Sequence, residues 1–560
     1  MTQNSFTINK TIKSILSKRG YKSDEQISEF FSVNLKQLPD FSKLKDIKKS
    51  AQRIATAIDN NENIAIYGDY DVDGTTSCAL LFQFFKLINV NVKLIQPSRF
   101  IEGYGIHPPA IEKALNDDVK IIITVDCGIT NYEAAVYAKE KGLDLIITDH
   151  HKDACETMPP AYAIINPNRR DEDLSAPMTK LAGVGVAFAL AVEIKNEIEL
   201  KSDKKVPSLY PLLQYVAIGT ICDMAHLNPM NLKLVRHGLH QLPKTQYAGL
   251  RAFLSREERE LDFIPSEKLS FGIGPLINAK GRLDHPDLAL KLIIEEDSDI
   301  AFETKNSLEI TNNERKFLQA EVFAEALTQF KNELSKQDSP ISICFGENWH
   351  EGVIGIVASK MVENFNRPSI IFTNSSQKGI IKASARSAGE LNMFDELKNL
   401  EKYFEKFGGH KAAAGLSMKE ENFELFKNEM IINISKIPEI IRTNTDFYDL
   451  EITGDLITAK LVKDLEKIEP FGMGNHKPIF KVKDLKLNSF DILKEKHVRW
   501  NFSYNNKMIK GISFFYTDKF NVPSPKEVFE KGEPVDLYCT IGINRFKGNE
   551  FIQLMVNKII

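Results

Sequence analysis

The chain is poor in cysteine and in long apolar runs. Its six cysteines are scattered and show none of the paired spacings typical of zinc sites, so we expect reduced thiols and no disulfides. No apolar stretch reaches the roughly 20 residues that cross a membrane. The polar start, Met1 to Lys10, lacks the apolar core of a signal peptide. These absences argue against a membrane protein and make the cytoplasm the expected location.

A strong charge of either sign is also missing. The 72 Lys and Arg residues nearly balance the 76 Asp and Glu residues, which gives a net charge of −4. Nucleic-acid-binding domains are often basic overall, but a local basic channel can coexist with an acidic site, so charge leaves such a partner open. Hydrophobic content of 43% and charged content of 26% are ordinary for a globular protein. A chain of 560 residues is too long for one core, and we expect three or four domains.

The strongest signal is a set of acidic and histidine residues that each follow a short apolar run. Such runs are typical of strands buried on both faces of a parallel sheet, and the helical stretches between them fit βαβ units. The runs are Ile64–Gly68 before Asp69-Tyr70-Asp71-Val72-Asp73, Ile121–Val125 before Asp126, Leu145–Thr148 before Asp149-His150-His151, and Tyr215–Cys222 before Asp223. Because functional groups gather at the carboxyl ends of parallel strands, we expect one convergent site.

The side chains available as ligands at that site restrict which metals it can bind. Carboxylate and imidazole together suit Mn²⁺, or Mg²⁺ with water, better than a sulfur-favouring ion. Clustered carboxylates repel one another unless cations neutralise them, so we expect two ions, which would also clamp the attacking and leaving oxygens of a phosphate. The residues therefore predict metal-assisted phosphoester hydrolysis.

Each acid also has an ordinary alternative role. A single Asp after a strand is more often a turn former or a helix N-cap than a ligand, and Asp73-Gly74 fits a turn that opens a helix. Against this, Asp69, Asp71 and Asp73 alternate, so an extended stretch would place all three on one side. Adjacent histidines after a buried strand are uncommon. The joint pattern favours a metal site.

The pattern along the chain predicts a multidomain α/β protein. Apolar runs of four to eight residues predict strands in the two α/β domains. Short strands with interleaved aromatic and basic residues near the C-terminus predict a small β-barrel of the oligonucleotide-binding type. The predicted parts are a helical N-terminal segment (1–60), a parallel-sheet domain with the acidic motifs (61–295), a long linking helix (296–337), a second, smaller α/β domain (338–438) and the OB-like barrel (442–560).

Three further patterns have two interpretations each. The barrel aromatics are Trp500, Phe502, Phe514 and Tyr516. They could stack bases, but half of each strand must face inward, so we favour the core for most of them. Gly408-Gly409-His410 would let the backbone approach a ligand, and a tight turn is the alternative that we favour in isolation. The small residues of Ala182–Ala187 suit a closely packed helix, with a phosphate-binding loop as the alternative.

The order of several motifs carries a resemblance to a known family. The segment Tyr67–Gly74 with Asp126, Asp149-His150-His151 and Asp223 resembles the DHH phosphoesterase superfamily. Five later segments narrow the match: Pro97–Gly105, Asn278–Leu283, Trp349–Ser359, Ser384–Ser387 and Gly408–Gly415. In this order, over nearly the whole chain, they resemble the RecJ family of single-strand-specific DNA exonucleases. The Asp-His-His set alone marks only the superfamily.

The resemblance implies a metal site and its immediate surroundings. The direct ligands would be Asp71, Asp73, Asp126, His150 and Asp223. The remaining catalytic residues would be Asp69, Asp149 and His151. Asp149 would orient a histidine, a common device around metals, and His151 would either bind a metal or orient the scissile phosphate.

The resemblance also implies a pocket for a 5′-phosphate. Its residues would be Arg99, Arg282, Ser384 and Arg386, with His410 contacting the substrate strand. Guanidinium groups bind phosphate through two parallel hydrogen bonds and hydroxyls add donors. For Arg99 and Arg282, structural ion pairs are an equally good interpretation. Departures from the family pattern are Cys222 and His226 around Asp223, Lys280, and Ala383 before Ser384.

The activity implied is metal-dependent 5′→3′ hydrolysis of single-stranded DNA to 5′-mononucleotides, in DNA repair and recombination. A helicase and a single-strand-binding protein are the implied partners, although no motif for either is visible. The main alternative is a DHH phosphodiesterase for short oligoribonucleotides or cyclic dinucleotides, which normally lacks a C-terminal barrel. A non-catalytic binding protein would have lost carboxylates, and an inorganic pyrophosphatase would not need the extra domains.

Overall fold

The computed structural model describes residues 9–98, 102–153, 156–202, 205–283, 287–520, 522–546 and 549–560. The chain forms two compact units. One unit contains residues 20–312 and 468–477, and the other contains the chain up to Arg19 with residues 313–467 and 478–560. Within the described ranges no helix is both long and apolar enough to cross a membrane, and the cysteines are free thiols.

The N-terminal region is helical, as its apolar spacing predicts. Its helices are α1 (Lys10–Lys18), α2 (Asp24–Phe31) and α3 (Ile47–Asp59). In α1 the buried side chains recur at helical spacing. Helix α2 begins with a capping box, in which the Ser23 side chain accepts from the Gln26 N–H and the Gln26 side chain accepts from the Ser23 N–H.

The first sheet is parallel and five-stranded, with strand order β2-β1-β3-β4-β5. Its strands are β1 (Asn63–Gly68), β2 (Val92–Ile95), β3 (Val119–Val125), β4 (Asp144–Thr148) and β5 (Ala163–Ile165), and the helices between them are α4 (Val72–Leu87), α5 (Pro108–Asn116) and α6 (Tyr132–Glu140). Nearly every residue of β1, β3 and β4 is buried. The predicted strands, buried on both faces, are therefore confirmed at the three runs before Asp69, Asp126 and Asp149.

The fourth predicted strand is wrong. Tyr215–Cys222 belongs to a helix, α8 (Leu213–Cys222), which is buried on all sides. A short apolar run cannot be assigned to strand or buried helix by periodicity alone, and the helix of 10 residues that contains this run makes nearly three turns. The remaining helices of this unit are α7 (Gly183–Lys201), α9 (Pro229–Gln241), α10 (Ala248–Arg251), α11 (Ser266–Lys268), α12 (Gly274–Leu283) and α13 (Asp287–Ile294), with a π-helix at Leu269–Ile273 between α11 and α12.

A helix of 37 residues, α14 (Ser298–Leu334), begins in one unit and ends in the other, as the long linking helix was predicted to do. The second sheet follows with the order β6-β7-β8-β10-β9. Its strands are β6 (Ser342–Gly346), β7 (Ser369–Asn374), β8 (Ile380–Arg386), β9 (Phe404–His410) and β10 (Ala413–Lys419), and its helices are α15 (Glu351–Phe365), α16 (Met393–Lys398), α17 (Phe423–Ser435) and α18 (Glu439–Arg442). Gly408-Gly409-His410 ends strand β9, so the turn favoured for it is wrong; the turn is Lys411-Ala412.

The C-terminal strands close into a barrel. The sheet has the order β11-β12-β13-β14-β16-β15, and β12 also pairs with β15. The elements are β11 (Leu450–Thr453), α19 (Ala459–Glu466), β12 (Phe480–Leu493), β13 (His497–Tyr504), β14 (Lys507–Ser513), α20 (Pro525–Lys531), β15 (Val535–Phe546) and β16 (Asn549–Ile559). The predicted barrel is confirmed, and closure removes most free strand edges.

The barrel core explains where its aromatics lie. Trp500, Phe502 and Tyr516 are buried, which agrees with the core interpretation, whereas Phe514 is exposed. Strand β14 ends at Ser513, because Phe515 adopts a left-handed conformation with φ 52° and Tyr516 begins a 3₁₀ turn. The Tyr516 hydroxyl instead donates to the Pro523 carbonyl at 2.9 Å.

The close contact between α8 and α9 depends on a glycine. A Cβ at Gly238 would lie 2.2 Å from the Leu213 carbonyl oxygen and 2.5 Å from the Ala217 Cβ. Alanine favours a helix over glycine, but overpacking typically costs about 1–3 kcal/mol. We therefore expect Gly238→Ala to lower the free energy of unfolding by about 1–3 kcal/mol, measured by urea denaturation.

Gly272→Ala is the matched control, because a Cβ there would meet only the flexible Lys268 side chain. It should leave stability unchanged or slightly raised. Equal effects of the two substitutions would show that the helix contact does not constrain position 238.

Candidate metal centre

The ends of three adjacent strands place three acids at one edge of the first sheet. Asp69 follows β1, Asp126 follows β3 and Asp149 follows β4, and all three are buried. Strands β1, β3 and β4 are neighbours in that order, so the polar residues at their carboxyl ends converge.

Asp71 and Asp73 come from the start of α4, and the extended arrangement predicted for Asp69–Asp73 is wrong. Asp71 is the N-cap of α4 and accepts from the Gly74 N–H at 3.0 Å. Its capping bond starts the helix at Val72, so Asp73 lies in the first helical turn. The interpretation of Asp73-Gly74 as the opening of a helix is correct, and the helix start itself belongs to the acidic cluster.

Backbone N–H groups at the start of α7, where the side chains are small, bind Asp73. The fully buried Asp73 carboxylate accepts from the N–H groups of Gly183 and Val184 at 2.6 and 2.9 Å. These N–H groups have no partner within the helix because they lie at its N-terminus, where the helix dipole also favours a negative charge. A Cβ at Gly183 would lie 2.7 Å from the Asp126 Cβ, so glycine is required for this approach. The segment Ala182–Ala187 therefore begins a closely packed helix, which is the first of the two interpretations given for it.

Asp223 reaches the cluster from the C-terminus of α8. The helix ends in a Schellman motif, with Met224 at φ 59° and hydrogen bonds from Met224 N–H to Ile221 O and from Ala225 N–H to Thr220 O. Helix α8 can lie this near because Gly219 has no side chain; a Cβ there would be 2.7 Å from Asp73 Oδ1.

His150 lies at the centre of the acids. Its Nε2 is 3.1 Å from Asp126 Oδ1, 3.7 Å from Asp73 Oδ2 and 3.8 Å from Asp223 Oδ2. Burial lowers the pKa of His150 in spite of these carboxylates, which favours the neutral imidazole that binds metals.

Asp149 orients the histidine pair. Its carboxylate accepts from the backbone N–H groups of Ile129, His150 and His151, and from His151 Nδ1 at 2.8 Å. Burial opposes its charge, but these hydrogen bonds and the histidine charges hold the pKa of Asp149 below its usual value. Burial also opposes the charge of His151, yet the bond to Asp149 raises the pKa of His151 to about 9.

The remaining acids repel one another. Burial raises the pKa of Asp73 to about 7, and the charge of Asp223 is the second largest cause. Burial likewise raises the pKa of Asp223 to about 7, and the charge of Asp71 is the second largest cause. Burial and Asp73 also raise the pKa of Asp126. Such a cluster is stable in its charged form only when cations neutralise it.

The donor geometry fits divalent cations. Three sets of side chains each bring their ligand atoms within 4.8 Å of one another: Asp126, His150 and His151; Asp73, His150 and Asp223; Asp69, Asp71 and Asp126. Asp126 Oδ1 and His150 Nε2 are buried and make no hydrogen bond within the described part of the chain, which is costly for polar atoms unless a ligand satisfies them. The sets consist of carboxylate oxygen and imidazole nitrogen, the donors that suit Mn²⁺ or Mg²⁺.

Asp126 adopts an unusual backbone conformation. Its φ is 59°, in the left-handed region that Asp and Asn tolerate better than other residues with side chains. Such conformations cluster at functional sites, where surrounding structure holds them.

Three polar residues around the cluster were missed by sequence reasoning. The Tyr104 hydroxyl lies 3.0 Å from His151 Nδ1 and 3.3 Å from the Asp126 carbonyl oxygen. The amides of Asn166 and Asn168 donate to the carbonyls of His151 and His150 at 2.9 and 2.6 Å. Tyr104 lies in the motif Pro97–Gly105 and could have been found there, whereas Asn166-Pro167-Asn168 carries only an ordinary turn signal.

The predicted phosphate-binding residues divide between the two units. Arg99 lies outside the described residues, and Arg282 lies in the last turn of α12, in the same unit as the acids. Ser384, Arg386 and His410 belong to the other unit. There Arg386 Nη1 donates to Ser384 Oγ at 2.9 Å, and Ala413 of β10 pairs with both Arg386 of β8 and His410 of β9. The second sheet therefore brings these three residues to one end.

Comparison with known proteins agrees with this architecture. The DHH family N-terminal domain matches residues 63–220, the DHHA1 domain residues 338–436 and the RecJ OB domain residues 448–558. The single-stranded-DNA-specific exonuclease RecJ of Bacillus subtilis (strain 168) is 32% identical over 554 residues, which cover 97% of this chain and 67% of that protein. RecJ of Haemophilus influenzae is 31% identical over 545 residues, which cover 94% of this chain and 92% of that protein.

Crystal structures of relatives have the same fold. RecJ in complex with Mn²⁺ from Thermus thermophilus superposes with a TM-score of 0.79 at 24% identity, over 99% of this chain and 76% of that chain. A structure of exonuclease RecJ bound to manganese has a TM-score of 0.60 at 29% identity, over 71% of this chain and 97% of that chain. The parallel sheet and its acidic cluster define a metal-dependent phosphoesterase of the DHH class. The chain belongs to the RecJ family of single-stranded-DNA-specific exonucleases.

We expect Asp126→Asn to separate metal binding from folding. Asn has the same shape and tolerates φ 59°, and it removes one buried charge from a repulsive cluster. With a chelator at pH 8, the variant should melt at a higher temperature than the wild type. With Mn²⁺ the wild type should gain stability by mass action, and the variant should gain much less, as measured by thermal denaturation.

Asp117→Asn, at an exposed acid of the same unit, should behave as the wild type under both conditions. An equal Mn²⁺-induced shift in wild type and Asp126→Asn would contradict the assignment of Asp126 as a ligand.

Proposed function

We propose that this protein is a metal-dependent 5′→3′ exonuclease that hydrolyses single-stranded DNA to 5′-mononucleotides in DNA repair and recombination. One observation carries the proposal: the acidic centre, the second α/β domain and a closed barrel occur in one chain, in the order in which the RecJ relatives match it from end to end. Proteins that act only on small phosphodiesters have no need of a nucleic-acid-binding barrel.

We propose that Asp71, Asp73, Asp126, His150 and Asp223 hold two ions, Mn²⁺ or Mg²⁺. When bound, the ions would activate water and stabilise the leaving oxygen of the phosphodiester. The residues of the chain orient this centre: Asp149 holds His151 at 2.8 Å. His151 is half exposed and carries a raised pKa, so it can present a charged N–H to the scissile phosphate.

We propose that the 5′ end is recognised by Arg99, Arg282, Ser384 and Arg386. Partial burial lowers the pKa of Arg386, but a guanidinium remains charged at neutral pH. A half-buried arginine that is hydrogen-bonded to a serine hydroxyl is a suitable partner for a phosphate. His410 is exposed at the end of β9 and could contact the following nucleotides. A pocket for a terminal phosphate explains exonuclease action without any recognition of base sequence.

The barrel supplies contacts along the strand. Trp500, Phe502 and Tyr516 are core residues, so base stacking falls to exposed aromatics such as Phe514 and Phe551. Lys510 Nζ lies 5.4 Å from the Phe551 ring centre, which combines a cation with a stacking surface. We expect a helicase and a single-strand-binding protein to supply the substrate, in the cytoplasm.

The alternative function is hydrolysis of short oligoribonucleotides or cyclic dinucleotides by the same centre. The test is cleavage of a long single-stranded DNA, labelled internally, with Mn²⁺ present. We expect mononucleotides from the earliest times, retention of activity when the 3′ end is blocked, and loss when the 5′ end is blocked. Absence of cleavage on the long strand, with turnover of a dinucleotide, would favour the alternative.

The same assay tests the phosphate pocket. Wild type should prefer a 5′-phosphate over a 5′-hydroxyl, and Arg386→Gln should lose that preference. Arg442→Gln removes the same charge from α18 of the same unit and should retain it. A preference that survives in Arg386→Gln would remove Arg386 from the pocket.

We expect Asp73→Ala to abolish hydrolysis, with a loss of at least about a thousandfold, because Asp73 belongs to the buried ligand set and removing a metal ligand removes the reaction's main electrostatic stabilisation. Binding of single-stranded DNA, followed by fluorescence anisotropy, should largely survive, since the phosphate pocket and the barrel remain. Parallel loss of binding and hydrolysis would mean that Asp73 is a structural residue.

A further inference from the structure

A ten-residue segment, Ile468–Lys477, belongs to the unit that contains the acidic centre, although the chain on both sides of it belongs to the other unit. We call this segment the strap. A bridge between Gly472 and Asn475 closes it on itself. The buried Asn475 amide donates to the carbonyls of Ile468 and Pro470 at 2.9 and 2.8 Å. The strap therefore has a defined shape of its own.

One end of the strap is bound to the helical stretch that leads to Arg282. The Glu469 carboxylate accepts from the N–H and Oγ of Ser266 at 3.2 and 2.9 Å, and Ser266 Oγ accepts from the Phe471 N–H at 2.8 Å. Arg236 Nε donates to the Glu469 carbonyl at 2.9 Å. Ser266 opens α11, which continues through the π-helix into α12.

The middle of the strap contacts the loop that follows Asp223. The Leu227 N–H donates to the Met473 carbonyl at 2.8 Å. A Cβ at Gly472 would lie 2.9 Å from Leu227 Cδ1, and a Cβ at Gly474, whose φ is 80°, would lie 2.5 Å from His226 Nε2. Two glycines thus let the strap lie directly on His226 and Leu227.

The loop is important for Asp223, because Asp223 is the residue that ends helix α8 and the loop continues directly from it. Met224 adopts the left-handed conformation, which is unfavourable in a residue other than glycine. Asp223 also faces repulsion from Asp71. From the other side, Asn231 Nδ2 donates to the His226 carbonyl at 2.9 Å. Residues 226 and 227 are therefore hydrogen-bonded both to Asn231 and to the strap.

We propose that the strap positions Asp223, so that Gly472, Met473 and Gly474 determine how tightly the centre binds divalent cations. These are positioning residues that act through His226 and Leu227. The inference rests on the metal-dependent function proposed above and adds a determinant of metal affinity that lies outside the acidic motifs.

The test is Mn²⁺ affinity of the full chain, measured by isothermal titration calorimetry, together with the Mn²⁺ concentration that gives half-maximal DNA cleavage. Gly472→Val would press on the buried Leu227 and should weaken Mn²⁺ binding about tenfold, the lower end of what outer-shell changes around metals cause. The maximal rate at saturating Mn²⁺ should change little. Adding Leu227→Ala makes room for the valine and should restore most of the affinity.

A second variant tests the neighbouring contact. Gly474→Ala should weaken Mn²⁺ binding, and its matched control is Gly532→Ala, since Gly532 also has a left-handed φ, 64°, and a Cβ added there would have no atom within 4 Å. The control should bind Mn²⁺ as the wild type does. Unfolding in the presence of a chelator reports any general loss of stability.

Unchanged Mn²⁺ affinity in both folded strap variants would overturn the proposal, as would a loss that Leu227→Ala does not relieve. Calorimetry keeps this result separate from the proposed function. A wild type that binds Mn²⁺ but leaves single-stranded DNA intact would contradict the exonuclease proposal and still allow the strap to be tested.

Discussion

Mutual repulsion among buried carboxylates is the constraint on which the rest of the catalytic unit depends. Asp73, Asp126 and Asp223 have raised pKa values because they are buried near one another. The fold holds them there with backbone groups: two amides at the start of α7 bind Asp73, and a left-handed residue carries Asp126. Glycines at positions 183 and 219 let the helices approach closely enough. Divalent cations relieve the repulsion, so metal binding and stability are linked.

Strand ends and helix ends supply different residues of the acidic cluster. Strand ends supply Asp69, Asp126 and the Asp149-His150-His151 group, while helix ends supply Asp71, Asp73 and Asp223. Asp149 accepts several hydrogen bonds, which hold its pKa below the usual value although it is buried. In the second sheet, register alone brings Arg386 and His410 to the same level across β8, β10 and β9. Each task therefore rests on a regular element, which suits precise geometry.

Most of the fold could be predicted because local patterns were unambiguous. The runs before Asp69, Asp126 and Asp149 are short, β-branched and bounded by polar residues, and all three are strands. The run Tyr215–Cys222 was wrong because a helix buried on all sides has no polar face to reveal its period. The arrangement of Asp69–Asp73 was wrong because the N-cap bond of Asp71 to Gly74 starts the helix earlier than alternation suggested. Roles of individual site residues stay predictions.

By itself the sequence determined the class of chemistry, the donor types of the metal site and the presence of a barrel, since these follow from residue types and short-range patterns. The tertiary structure alone decided which groups meet. Asp73 lies against amides 110 residues away in sequence, Tyr104 reaches His151 across 47 residues, and the strap reaches Leu227 from beyond residue 467. No local pattern records such pairings, because they depend on how buried helices and strands pack, and packing selects partners by shape and distance rather than by position in the chain.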